Sequence, residues 1–257
     1  MAVVPACLVD PAQVEPTLRA LVSLWATAPG IRAIVVDDAG PDEALVEPIV
    51  VACHELGFDV VRHSSPQGRA ASVNVGLQAA LDSGADALIV DPTVEFANPG
   101  WLELLRARTD SHGRPAAAVG PQLLQDRGLI GEAGLYFSLL QRSFLRRYEN
   151  SPVGLPAAQV PTACPLSDTV QLIRHETLAA VGLYDPIFVA GHGDADYCIR
   201  VFAEGLECVY EPSAVVTRTG GAVADFVRDA AWASASGVEL RRKYAKTDLS
   251  LFTPEIL

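Results

Sequence analysis

Cationic residues are scarce in this chain. Nineteen lysines and arginines face 31 aspartates and glutamates among 257 residues, leaving a formal net charge of -12. A phosphate backbone needs a dense basic surface, so nucleic acid is excluded as the main partner. A small anionic ligand is still allowed, because one or two local cations suffice for it. The cysteines number 5, an odd count, and none are spaced C-x-x-C. That sets aside a disulfide scaffold and a zinc ribbon, and predicts reduced, buried thiols. No charge-free apolar run reaches the ~18 residues of a spanning helix. The uncharged stretch 151–167 is broken by Pro152, Pro156, Pro161 and Pro165. The N-terminus lacks the basic start and long apolar run of a secretory signal. The expectation is a cytoplasmic protein, with attachment to the inner face of a membrane left open.

Two phosphate-loop signatures are also missing. No G-x-G-x-x-G follows the first apolar segment, which argues against a dinucleotide oxidoreductase. Residues 4–10 carry neither the glycines nor the cations of a nucleotidyltransferase loop. The chain shows no internal repeat and no linker-like shift in composition.

What is present is a large potential core. Half the residues are hydrophobic and 19% are charged, a balance that excludes global disorder. At about 150 residues per domain the length fits one large domain. The first half alternates strand and helix. Residues 2–9, 31–36, 58–62 and 87–90 read as strands. Residues 14–26, those after Asp42, and 72–83 read as helices, with apolar stripes at Val14, Leu18, Leu21, Val22 and Trp25 and at Leu45, Ile49, Val50 and Cys53. That order predicts a parallel sheet covered by helices on both faces. In the second half 116–120, 170–174, 208–210 and 215–217 read as strands. Another is expected within 129–137, and helices over 176–181, 194–204 and 222–246. The proline-rich segment before Pro165 reads as a loop able to line a cleft.

Ligands of such sheets sit at the carboxyl ends of the strands. Asp37 and Asp91 both end apolar strands there. Each alone has a plain structural use, capping a turn. Two at equivalent strand ends point to a site.

Read in order, four segments resemble the inverting family 2 glycosyltransferases, with the short rhamnosyltransferase-like bacterial members nearest. They are Val35-Val36-Asp37-Asp38 through Asp42; Gly68-Arg69-Ala70-Ala71-Ser72-Val73-Asn74-Val75-Gly76; Val90-Asp91-Pro92-Thr93 through Trp101; and Gly193-Asp194-Ala195-Asp196 through Arg200, followed by Tyr210-Glu211-Pro212. The likeness covers residues 2–220.

The resemblance implies a single α/β domain of GT-A type over 1–257, with a mostly parallel sheet flanked by helices. Its parts are a Rossmann-like nucleotide-sugar half at 1–97, an acceptor half at 98–220 and a helical segment at 221–257. It implies transfer of a sugar from a UDP-, dTDP- or GDP-sugar to a hydroxyl of a glycan, glycolipid or natural product, with inversion. Asp194 matches the general base, kept ionised by a helix N-terminus. Asp37 matches the nucleobase contact and Asp91 a ribose or metal contact. Arg69 and Thr93 fall in the donor site, and His192, Asp196 and Trp101 at or behind the acceptor.

Two departures from the family pattern stand out. The second acidic residue of D-x-D is Thr93, and a metal-binding histidine is replaced by Arg218. Both weaken a site for magnesium or manganese, which prefer carboxylate oxygen. Both also favour a diphosphate held by arginine, because a guanidinium forks onto phosphate. No organic cofactor is implied. A non-catalytic sugar-nucleotide-binding or scaffold protein of the same fold is the alternative. The terminal helix could pair two copies, and its Arg241-Arg242-Lys243 cluster reads as a solvated face.

Overall fold

The computed structural model describes residues 1–125, 128–219 and 230–253. Four parallel strands form its first half: β1 (Ala2–Ala6), β2 (Ala33–Asp37), β3 (Asp59–Arg62) and β4 (Ala87–Val90). They lie in the order β4-β1-β2-β3. Helices α1 (Val14–Thr27), α2 (Glu43–Leu56) and α3 (Arg69–Asp82) connect them. β1 is buried throughout, and its alternate residues feed two cores. Val4 and Ala6 join Leu21, Leu24, Ile49 and Cys53 on one face; Val3 joins Val73, Leu77 and Ala80 on the other. This is the period of a strand covered on both sides.

Beyond β4 the sheet becomes mixed. It continues through β11 (Val170–Ile173), β6 (Ala118–Gln125), β12 (Cys208–Arg218) and β10 (Thr162–Ala163). β11 runs antiparallel to β4, pairing Val170 with Val90. The start of β11 therefore lies beside the carboxyl end of β4. β5 (Val94–Glu95) pairs with the end of β12, Val94 opposite Arg218. β7 (Leu129–Glu132) pairs with β6. Helix α4 (Trp101–Ala107) packs against the face of α1 and α2. α5 (His175–Val181) and α6 (Gly193–Ala203) share the face of α3. β8 (Leu135–Ser138) and β9 (Ser143–Arg146) form a separate hairpin. A last helix, α7, spans Ala230–Lys243.

Several expectations need correction. Val22 and Trp25 were expected inward on α1 but are about half exposed; the sheet takes the stripe Thr17, Leu21, Leu24. Val50 of α2 likewise faces outward. Residues 208–210 and 215–217 belong to one strand, irregular between Glu211 and Val215. The segment expected within 129–137 is two strands, the second leading into the hairpin. The expected terminal helix lies partly outside the described residues, at 222–229. All five cysteines are free; four are buried and Cys7 is half-buried. Among the described residues no helix is long and apolar enough to cross a membrane.

Candidate active site

The antiparallel entry of β11 builds the site. It brings Asp168 and Thr169, which precede β11, next to Asp91, which follows β4. The Asp91 backbone N–H donates to Thr169 O at 2.7 Å. One Asp91 oxygen, Oδ1, accepts from the Thr93 N–H at 3.0 Å and the Thr93 hydroxyl at 2.5 Å. This is the turn that an Asx-Pro sequence favours. The other oxygen, Oδ2, lies 3.3 Å from Arg69 Nη1. Asp91 thus serves a turn and faces a cation at once.

Arg69 is the first residue of α3, and its position depends on Gly68. That glycine has φ +90°, and a Cβ there would lie 2.6 Å from Val189 O. The close approach lets the Arg69 N–H donate to Val189 O at 2.8 Å. The Arg69 side chain then crosses to Asp168. Nε donates to Asp168 Oδ2 at 2.7 Å and Nη2 to Asp168 O at 3.0 Å. The Asp168 N–H donates to Asp194 Oδ2 at 3.3 Å. Asp91, Arg69, Asp168 and Asp194, from four places in the chain, form one connected row.

They line a cleft of about 450 Å³ with Thr93, Arg218, Arg146, Glu132 and His192. Arg218 Nη2 donates to Thr169 Oγ1 at 3.3 Å, and the β5 pairing explains how residue 218 reaches Thr93. Glu132 Oε1 accepts from Ser167 at 2.5 Å, and Oε2 lies 3.6 Å from Arg146 Nε.

Burial, then the neighbouring Asp168 and Glu132 carboxylates, push the Asp194 carboxyl up to about 7; two backbone N–H bonds oppose the rise. The helix N-terminus is expected to keep this group ionised; burial first, then the neighbouring carboxylates, outweigh it. Burial also pulls Asp91 upward. There Arg69, the Thr93 hydroxyl and Arg218 prevail and hold it below the usual carboxylate range. Glu132 is raised by burial, against the pull of Ser167, Arg146 and Arg218. Burial, with help from Arg241, lowers His192. The cleft therefore separates a firmly ionised carboxylate, Asp91, from a carboxyl poised near neutrality, Asp194. That separation is the mark of distinct chemical duties.

Three expected site residues sit elsewhere. Asp37 does not line the cleft. It accepts from the Gly40 N–H at 3.1 Å and pairs with Arg62 Nε at 3.0 Å. Its neighbour Asp38 lines the cleft instead, as expected when successive extended residues point to opposite faces. Asp38 accepts from the N–H groups of Gln67 and Gly68 at 2.7 and 3.0 Å, and meets His63 Nδ1 at 2.9 Å. Trp101 is buried in the core, stacked on Phe96 and donating to Thr27 Oγ1 at 3.0 Å. Asp196 is fully buried in the first turn of α6, tied to Arg200 and Lys243 and accepting from the Tyr244 hydroxyl. It anchors α7 rather than facing the cleft. Asp168, Glu132 and Arg146 were not singled out from sequence. No motif marks them, and only the pairing of β11 and the course of 129–146 bring them in.

The donor set is weak for a divalent cation, as the threonine and arginine at positions 93 and 218 imply. Among the described residues no three His, Cys, Asp or Glu side chains are grouped to hold a metal. Asp91 is already engaged by Arg69 and Thr93, and Arg218 adds a second cation to the cleft lining.

The sheet order with this cleft at its carboxyl edge defines the fold of the GT-A glycosyltransferases. No protein-family model matches the chain, and no curated protein does. Solved structures do. The chain is similar to GalNAc-T7 with UDP, GalNAc and Mn2+ (TM-score 0.64, 16% identity, 84% of this chain and 43% of that one). It is similar to the mannosyltransferase PcManGT from Pyrobaculum calidifontis with GDP-Man and Mn2+ (0.57, 15%, 85% and 56%). A third is TarS from S. aureus (0.53, 15%, 100% and 74%). The chain spans about half the length of the first two.

Proposed function

We propose that the chain is an inverting glycosyltransferase that moves a sugar from a nucleoside diphosphate donor to a hydroxyl acceptor. The observation that carries the reading is the continuous row Asp91–Arg69–Asp168–Asp194 across one cleft at the carboxyl edge of the sheet. Its fold neighbours being complexed with UDP and with GDP-Man supports a nucleotide-sugar donor.

In this reading Asp194 Oδ takes the acceptor hydroxyl proton as the acceptor oxygen attacks the anomeric carbon. The bond from that carbon to the diphosphate oxygen breaks, and the diphosphate leaves with the electron pair. Arg69 and Arg218 take the charge that develops on the leaving group. Asp168 is a positioning residue: its carboxylate holds the Arg69 fork and its N–H holds Asp194. A base with a pKa near 7 is suited to accept a proton at neutral pH.

The test incubates UDP-, dTDP- and GDP-sugars with simple hydroxyl acceptors and follows nucleoside diphosphate release. Asp194→Asn should bind the donor normally but turn over about 10²- to 10⁴-fold more slowly, the usual worth of a general base. Unchanged turnover would remove the base assignment.

A further inference from the structure

The β8–β9 hairpin stands outside the main sheet. Its root belongs to the cleft, where Leu135, Phe144 and Arg146 line the wall. The root is fixed by ring contacts of Phe144 with Phe137 and Phe252. The tip is fixed by nothing comparable: Leu139 is 64% and Leu140 94% exposed, and Gln141 and Arg142 that follow are exposed as well. Leu251, 74% exposed, sits on the short turn Ser250–Phe252 that packs on β8. Adjacent bare leucines at the end of a rooted hairpin contribute nothing to the core, and an exposed apolar cluster marks a contact surface.

The local charge differs from that of the chain as a whole. Residues 135–148 contain Arg142, Arg146 and Arg147 and no acidic residue, in a chain of net charge -12. Arg146 shares its charge with Glu132 and Glu149, and Arg147 lies over the Tyr148 ring. At the tip itself Arg142 follows the two leucines, whereas Arg146 pairs with Leu135 at the root; bare apolar side chains beside a cation suit the boundary between acyl chains and anionic headgroups.

We propose that the hairpin tip, Leu139 and Leu140 with Arg142, docks this protein on an anionic lipid surface. The docked hairpin brings one wall of the cleft to the membrane. If the transferase reading holds, which only this consequence requires, the acceptor hydroxyl belongs to a lipid-anchored glycan or glycolipid.

The test is flotation of the full chain with vesicles of phosphatidylcholine alone, or of equal parts phosphatidylcholine and phosphatidylglycerol. The protein should float with the anionic vesicles only, and less so in high salt. The double variant Leu139→Ser, Leu140→Ser should partition at least about tenfold more weakly, a change of about 1.4 kcal/mol, with an unchanged unfolding temperature. Leu140→Trp should show a blue-shifted emission when anionic vesicles are added. Failure of the parent to float, or equal flotation of the double serine variant, would overturn the proposal. So would a dimer, formed without lipid, that the serine substitutions dissociate. Vesicle binding needs no donor and donor binding needs no vesicle, so either reading can fail alone.

Discussion

Asp194→Asn should make the protein more stable at neutral and alkaline pH while disabling it. The folded-state carboxyl is raised from 3.8 to about 7 by burial and by Asp168 and Glu132. Below about pH 4 the group is protonated in folded and unfolded chains alike, and costs nothing. Between about pH 4 and 7 the folded chain holds a proton that the unfolded chain has lost, so stability falls as pH rises. Above about 7 both forms are ionised and the full penalty stays constant. Three units at 1.36 kcal/mol each set a ceiling of about 4 kcal/mol. Part of the cleft is wet, and solvent screening brings the expectation to about 2 kcal/mol. In a chain of this size that is a rise of about 4 °C in Tm. The assay is thermal unfolding of parent and variant from pH 4.5 to 8.5. The two curves should meet near the acid end and diverge toward pH 7, with the asparagine variant higher. Parallel curves, or a variant less stable at pH 8, would refute the charge environment assigned to Asp194.

Other changes should follow the same geometry. Arg69→Ala should abolish the stabilisation by nucleoside diphosphate, and Arg69→Lys should restore little, because an ammonium cannot make the fork to Asp168 and phosphate; calorimetry reads both. Arg218→Ala should weaken donor binding to the same degree with and without excess chelator. Gly76→Ala should lower stability by about 1–3 kcal/mol in denaturant unfolding, because its Cβ would lie 2.2 Å from the Val3 Cβ. Turnover of the parent should rise about tenfold per pH unit up to about pH 7 and then level, as the Asp194 carboxylate forms.

The sheet's first half was readable because each strand is a short apolar run and each turn carries its own chemistry. Asp42 caps α2 through the Ala44 N–H, and Gly57 closes it in the left-handed region. Motif order singled out Asp91, Arg69, Arg218 and Asp194, and all four line one cleft. Asp168 was not, because its place depends on β11 entering antiparallel beside β4, a pairing that no local pattern encodes. The exchange of Asp37 for Asp38 turns on one residue of phase at a strand end, where periodicity is least informative. Trp101 was misplaced for a similar reason: its indole N–H finds Thr27 inside the core, so a polar handle was satisfied without the cleft. The raised carboxyl of Asp194 comes from its burial and then from the carboxylates of Asp168 and Glu132, which only the folded chain assembles.

The most direct measurement is the melting temperature of the parent and of Arg69→Ala with UDP, dTDP or GDP, each with Mn2+ and with excess chelator. Ligand that binds only the native state raises that temperature by mass action. One of the three should stabilise the parent in chelator and lose its effect on Arg69→Ala. If none of them moves the parent under either condition, the cleft does not hold a nucleoside diphosphate.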